Sequence, residues 1–523
     1  MKKQLLLLVM MILPLVANAD IVEINGIYYN IITKGNIAEV TSNPNTYTGN
    51  VIIPETVDYN NVTYRVTSIG DNAFESCHEL TSVTIGNSVT SIGDNAFSDC
   101  PLLTSFTIPD NVTSIGARVF QYCFGLTDVT IGNSVTSIGD YDFYSCYRMT
   151  SITIGNSVTS IGDRAFGYCT ALNSVSIPDS MTSIGTSAFY YCNGLISITI
   201  PNSVTLIGPY AFDSCSGLTS VTIGNGVTSI YERTFSGCTK LTDITIPNSV
   251  TTIELSAFSS CQGLTFVTIP NSVKSIGNDA FYGCTGLTYI TIGSGIKTIG
   301  SFAFGACPNL IDVTCYAENA PRTSSDAFED SYIEYTTLHV PSASVNVYKA
   351  AEPWKNFKSI EAIPKCEKPT IGYENGKLTF ASSTEGATYQ YTITDDDIKA
   401  GSGNEVQLAV TYNISVYATK EGYDNSETAT ATLCWIDAAP QTEGITDGMA
   451  QIAARPVLVK TDNGFITVEG VDDKTNVSIY TTDGKQLGSA ISKNNVATIA
   501  TNIQPGSIAI VKVGDKAIRV IMK

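Results

Sequence analysis

Eleven cysteines stand at positions 77, 100, 123, 146, 169, 192, 215, 238, 261, 284 and 307, each 23 residues after the last. Thiols at a fixed step could form a chain of disulfides, a metal–thiolate ladder, or an inert column of buried side chains. Adjacent coils of a repeat bring Cα atoms within disulfide range, and an oxidising compartment permits pairing. An odd number cannot all pair along one column, however. A small apolar side chain with a weak S–H donor also suits a crowded interior. The spacing therefore favours buried, reduced thiols.

The rest of the chain offers little catalytic chemistry. His78 and His339 are the only histidines, too few for a histidine-rich metal site or a proton relay. There is no G-x-S-x-G elbow, H-E-x-x-H helix, Walker loop or paired C-x-x-C. Carboxylates such as Asp71, Asp94, Asp140 and Asp163 recur in turns, where they read as solvated residues. No enzyme activity, cofactor or metal is expected. Net charge is −19 with only 15% charged residues, and the absence of a basic run excludes a nucleic-acid or anionic-lipid grip.

The same 23-residue step governs the elements around the cysteines. Phe74 recurs to Phe304, Ile69 to Ile299, and Leu80 to Leu310 with Met149 standing in once. Such a period marks a solenoid whose coils bury apolar faces only against neighbouring coils. In one coil, Leu80, Val83 and Ile85 have leucine-rich repeat strand spacing, with Ser82 and Thr84 outward. Gly86-Asn87 turns the chain, and Val89 and Ile92 point inward from a second short segment. Ala96, Phe97 and Cys100 then return to the core from a loop or single helical turn. Eleven coils at about 4.8 Å per strand give a rod on the order of 50 Å.

The repeat T-x-I-P/G-N-S-V-T-S-I-G-D-x-A-F-x-x-C resembles the BspA-like leucine-rich repeats of bacterial surface proteins over residues 58–310. The segment 49–70 resembles the lead-in of such arrays, and 336–360 their closing segment. Residues 20–57 are thus expected as an N-terminal cap and 311–365 as a C-terminal cap, with Val340, Tyr348, Trp354 and Phe357 covering the apolar end. Cys315, 23 residues after Ile292, falls at the inward strand position of a last, degenerate coil.

Beyond Pro364 the text changes to short alternating runs. Residues 366–437 read as a small β-sandwich and resemble immunoglobulin-like or fibronectin III-like modules. Cys366 and Cys434 stand at its two ends, open to bridging if the first and last strands are neighbours. Residues 438–456 read as a linker closing at Pro456. Residues 457–523 read as a second small β-sandwich, with strands at Phe465–Val468, Val477–Tyr480, Ile508–Val513 and Ala517–Met522. This segment resembles the type A C-terminal sorting domain of the type IX secretion system at Tyr480, Asp483-Gly484-Lys485, Pro505-Gly506 and Lys523. Ile508 departs from the family's usual Tyr or Phe. The resemblance implies outer-membrane secretion machinery as a partner.

The N-terminus agrees with export. Lys2-Lys3, the apolar run Leu5–Val16 and Ala17-Asn18-Ala19 form a signal-peptide pattern over residues 1–19. With no cysteine after that site, a lipid anchor is not expected. No other stretch is long and apolar enough to span a bilayer.

Binding has a sequence signal of its own. Coils three to six carry Tyr122, Phe124, Tyr144, Tyr147, Tyr168, Tyr190 and Tyr191 around the cysteine, where other coils have mostly Ser, Gly or Asp. Either these rings form an exposed edge for partner proteins or sugars, or they pack over the Phe column as a satellite core. An outward threonine ladder from Thr84 to Thr291, with Phe266 and Tyr289 beside it, is a second candidate face. Asp179-Ser180-Met181 resembles a short bacterial O-glycosylation sequence. The reading is a mainly β, secreted, cell-surface repeat protein. The resemblance implies adhesion to host or neighbouring-cell proteins, extracellular matrix included. Glycan capture and a passive surface spacer are the alternatives.

Overall fold

The computed structural model describes residues 20–374, 377–395, 411–420, 422–437, 454–462, 464–503, 507–514 and 516–521. The expected signal peptide, most of the expected linker, Pro505-Gly506 and Lys523 lie outside them. Contacts divide the chain into two units, which meet at Ala362/Ile363.

In the first unit, two columns of parallel strands run along the solenoid. The longer strands, among them Ser105–Ile108, Asp128–Ile131 and Ser151–Thr153, pair 23 residues apart in unbroken register, Val129 opposite Phe106 and Ile152. Alternate residues face inward because side chains alternate across a strand, so Phe106 and Ile108 are buried and Ser105 and Thr107 exposed. The second column consists of two-residue strands such as Ser91–Ile92 and Ser114–Ile115.

The stack extends beyond the sequence period at both ends. Gly49–Ile53, inside the expected cap, pairs with Leu80–Ile85. At the other end Ile292 pairs with Cys315, and Thr337–Val340 and Ser359–Ala362 add further parallel strands. Terminal strands need backbone partners and an inward apolar pair, but not the 23-residue phase. Val313, Cys315, Leu338 and Val340 supply that pair and are buried.

Inside, twelve phenylalanines from Phe74 to Phe328 stack coil upon coil. Neighbouring centroids are 4.9–5.6 Å apart. Tyr47 closes one end at 4.5 Å from Phe74, and Trp354 and Phe357 meet the Phe328 ring edge-on at the other. Val340, Tyr348, Trp354 and Phe357 are all buried.

The geometry explains the cysteines. In ten coils, Cys100 to Cys307, the thiol donates to the carbonyl of the phenylalanine 26 residues earlier, at 3.1–3.4 Å. That carbonyl already accepts a turn N–H, as Phe74 does from Cys77, so the thiol fills its second lone pair. All fourteen cysteines are free and buried. Burial pushes the Cys215, Cys261 and Cys307 thiols up to about 12, which keeps them protonated and suited to donating.

The turn carboxylates depart from the expectation of plain solvation. Asp71 Oδ1 accepts the Asp94 N–H at 2.8 Å, and Asp94, Asp140 and Asp163 repeat the contact with Ala117, Asp163 and Thr186. Each ties one coil to the next, because a stacked turn leaves one N–H facing its neighbour.

The second unit corrects the expectation of two separate sandwiches joined by a linker. One six-stranded sheet contains Thr388–Asp395, Thr411–Thr419, Ala429–Asp437, Ala454–Asp462, Phe465–Glu469 and Val496–Ala500. Ala454–Pro456, expected in the linker, opens a strand that pairs with Ala429–Asp437, Pro456 opposite Trp435. Proline is tolerated there because the strand on the other side begins pairing only at Leu458, leaving its missing N–H without a ladder position. The two middle strands serve both cores. Leu433 and Leu458 join the core with Ile371, Ile414 and Val416, while Cys434, Val457 and Val459 face the core with Val477, Val511 and Val520. A Cys366–Cys434 bridge does not form. Cys434 lies in the second core, whereas the Cys366 N–H is tied to Asp424 O at 2.8 Å.

Candidate interaction edge

Each solenoid coil passes through two left-handed residues on either side of its phenylalanine. Asn72 and Ser76 in the first coil have φ of 56° and 55°. Glycine and asparagine tolerate this conformation, whereas a bulky residue there costs roughly 1–2 kcal/mol. Yet the later coils place Arg118, Tyr141, Arg164, Tyr210 and Arg233 at the first position, with φ of 52–60°. The second position takes Tyr122, Tyr168 and Tyr191, with φ of 58–62°. Strained, bulky side chains gathered on one edge are a functional signal, since most other coils satisfy the backbone with Asn, Asp, Ser or Gly, Phe302 and Ala306 being the exceptions.

All seven aromatics expected from the sequence come together on this edge. Phe124 stacks on Tyr147 at 5.4 Å, and Tyr122 meets Phe124 and Tyr144 at 6.0 Å. Tyr144 meets Tyr168 at 5.5 Å, and Tyr168 stacks on Tyr191 at 5.2 Å, with Tyr190 edge-on to both. Between the two sequence readings the outcome is mixed. Tyr122, Phe124, Tyr147 and Tyr191 are 37–44% exposed, while Tyr144, Tyr168 and Tyr190 are half-buried. The rings pack on one another; among the described residues, no ring contact joins them to the Phe column. Burial and neighbouring tyrosines push the Tyr190 hydroxyl up to about 12. Gly167 makes room for the row, because a Cβ there would lie 2.9 Å from the Tyr144 ring.

Sequence reasoning missed the residues of the first left-handed column. Tyr141 joins the row at 5.4 Å from Tyr144, and the Arg118 and Arg164 guanidiniums lie 5.2 and 5.6 Å from its centroid. Arg233 lies over Tyr210 at 5.4 Å and donates through Nε to the buried Asp213 at 2.9 Å. Burial raises the Asp213 pKa, against the pull of Ser214 and Arg233. Aligning the residue two before each phenylalanine would have revealed this column.

At Ser187 the column loses its large side chain, and a cleft of about 460 Å³ opens between coils. Tyr144, Arg164, Tyr168, Tyr190, Tyr210, Asp213 and Arg233 are among its lining residues. Beneath the edge lies Asp142, at a position that is alanine in most coils. It is fully buried and accepts the Val119 and Gly139 N–H groups at 3.1 and 2.6 Å. Burial raises it to about 7.

The other candidates are less developed. Thr107, Thr130 and Thr153 form an aligned outward ladder, and Phe266 and Tyr289 pair across strands, 48% and 54% exposed. Ser180, in the segment that resembles an O-glycosylation sequence, donates to Val158 O at 2.6 Å, and its neighbour Met181 is buried.

Parallel strands in 23-residue register, with turns returning a phenylalanine and a cysteine to one core, define a leucine-rich repeat solenoid. The chain belongs to the BspA type leucine rich repeat family, whose model matches residues 55–171, 136–265 and 228–351, together more than half of the sequence. No curated protein matches it. Among solved structures it is similar to a leucine-rich repeat protein from Bacteroides ovatus, at 28% identity over 61% of this chain and 99% of that one, TM-score 0.41. It is also similar to a leucine rich cell surface protein from Faecalibacterium prausnitzii, at 26% identity over 66% and 94%, TM-score 0.38. The pneumococcal vaccine antigen PcpA matches at 17% identity over 66% and 98%, TM-score 0.39.

Proposed function

We propose that this protein is exported, displayed at the cell surface, and binds partner proteins of host or neighbouring cells through the aromatic edge. The observation that carries this reading is the row of tyrosines held in left-handed backbone, with arginines beside them. Tyr and Arg are the residues that dominate the centres of protein interfaces, and strain offset only by stacking within the row itself points to selection by contact with something else. Export rests on the signal-peptide pattern of residues 1–19. Transit of the outer membrane rests on the resemblance of residues 457–523 to a type IX sorting domain. Among the described residues no helix is long and apolar enough to cross a membrane.

The test is a binding array of the mature chain against extracellular matrix proteins and glycans, with the Tyr144→Ala, Tyr168→Ala, Tyr191→Ala triple variant alongside. Saturable protein binding that drops at least about tenfold in the variant supports the reading. Binding untouched by the triple change removes the edge from consideration. Glycan capture is the second reading, favoured by the tyrosine-lined cleft at Ser187; saturable binding to glycans alone would select it.

A further inference from the structure

The edge concentrates the positive charge of its part of the solenoid. Between Arg65 and Lys240 the only Lys or Arg residues are Arg118, Arg148, Arg164 and Arg233, in a chain of net charge −19. Arg233 is neutralised by Asp213. Arg118 and Arg164 are exposed and make no ion pair among the described residues. Instead Tyr141, in the coil between them, carries both guanidiniums over its ring, and its hydroxyl accepts an Arg164 nitrogen at 2.9 Å. The ring holds both guanidiniums beside it; Arg164 spends one NH1 donor on the Tyr141 hydroxyl, and the N–H groups that remain on the two arginines supply the fork that a carboxylate takes in bidentate fashion. All three residues occupy left-handed backbone where the preceding coils use Asn72 and Asn95. The chain therefore sustains strain to keep Arg, Tyr and Arg in line.

We propose that Arg118, Tyr141 and Arg164 form a carboxylate clip that receives an acidic segment of the partner protein. This rests on reading the edge as a protein-binding surface, and it names the chemistry of what binds there. The guanidiniums stand two coils apart, roughly 10 Å, which acidic side chains two or three residues apart in an extended segment can span. A protein segment fits better than an acidic saccharide. The clip borders the open ring row of Tyr122 and Tyr144, and the nearest turn carboxylates, Asp140 and Asp163, are turned to the backbone of the next coil rather than to sugar hydroxyls.

The experiment measures fluorescence anisotropy of dye-labelled N-acetyl-hexaglutamate, hexaglutamine and hexagalacturonate with the mature full-length chain. Hexaglutamate is expected to bind at least about tenfold tighter than either control. Arg118→Gln with Arg164→Gln should reduce it to the hexaglutamine level, and Tyr141→Leu should weaken it less, by freeing the guanidiniums without removing them. Both arginines are exposed, so unchanged thermal melts should certify folding. Hexaglutamate binding no tighter than hexaglutamine, or indifferent to the arginine pair, overturns the clip. Hexagalacturonate binding as tightly also overturns it, in favour of an acidic saccharide. If the triple tyrosine variant loses matrix-protein binding while hexaglutamate never binds, the edge reading survives and the clip alone fails.

Discussion

Tyr168 and Tyr191 stand one coil apart with ring centroids 5.2 Å apart and planes 17° from parallel, each in left-handed backbone. The pair gains stacking at the expense of its own main chain. Stability and recognition can therefore be separated at these positions.

Tyr191→Asn should leave the melting temperature within a few degrees of wild type. Relief of about 1 kcal/mol of backbone strain offsets a stacking loss of similar size. Tyr191→Val, which loses the ring and keeps a strained, β-branched backbone, should cost roughly 1–2 kcal/mol. Thermal melts of the two variants check this. Equal melting temperatures would mean that the left-handed geometry carries no strain.

Asp142 should give stability an unusual pH dependence. Its folded pKa, about 7, lies above the ordinary 3.8, chiefly through burial and then through Asp140 and Asp94. A raised acid favours the folded state below pH 4, and the advantage disappears as pH climbs to about 7 and stays absent above it. The shift corresponds to ~4 kcal/mol at most. Asp142→Asn should flatten this slope while lowering stability at pH 5, because the two N–H groups use separate carboxylate oxygens and the amide nitrogen cannot accept the second. Urea titrations at pH 5 and pH 8 measure both effects; a parallel slope in the variant would rule out Asp142 as the source.

The cysteine column should be chemically silent while folded. With Cys215 and Cys261 raised to about 12 by burial, iodoacetamide at pH 8 should leave the solenoid thiols unmodified for hours. The same reagent should label them all in guanidinium. Mass spectrometry counts the adducts, and rapid labelling of the native chain would contradict the column as drawn.

Trp354 closes the phenylalanine stack and donates through Nε1 to Thr323 Oγ1 at 3.0 Å. Trp354→Ala should cost about 3–5 kcal/mol and expose Phe328 to other copies of the chain. A lower denaturation midpoint together with concentration-dependent light scattering is expected. A destabilised but strictly monomeric variant would show that the cap's remaining side chains suffice.

What the sequence made legible follows from periodicity. The inward strand positions, the phenylalanine and cysteine columns and the pairing of Tyr168 with Tyr191 all follow from one number, 23, because coil neighbours are fixed by phase. The ends of the array were not legible: Gly49–Ile53 and Ser359–Ala362 join the stack through backbone pairing, which does not need the phase. The shared sheet of the second unit was hidden for another reason. Pro456 looks like loop punctuation, and only the pairing pattern reveals a ladder position that requires no N–H. Arg118, Tyr141 and Arg164 were in phase throughout, but their significance depends on a left-handed backbone that residue identity alone does not announce.

From Cys100 to Cys307, the bond from the cysteine thiol to the phenylalanine carbonyl 26 residues earlier makes each coil fasten to its predecessor in the same way. A coil is therefore an interchangeable part. Duplicating or deleting a whole 23-residue unit leaves every fastening intact, whereas an insertion of a single residue breaks the columns it crosses. Recombination between near-identical phrases such as residues 87–94 and 133–140 can thus lengthen or shorten the array. The same exchange can carry the arginine–tyrosine row along the solenoid without disturbing the stack beneath it.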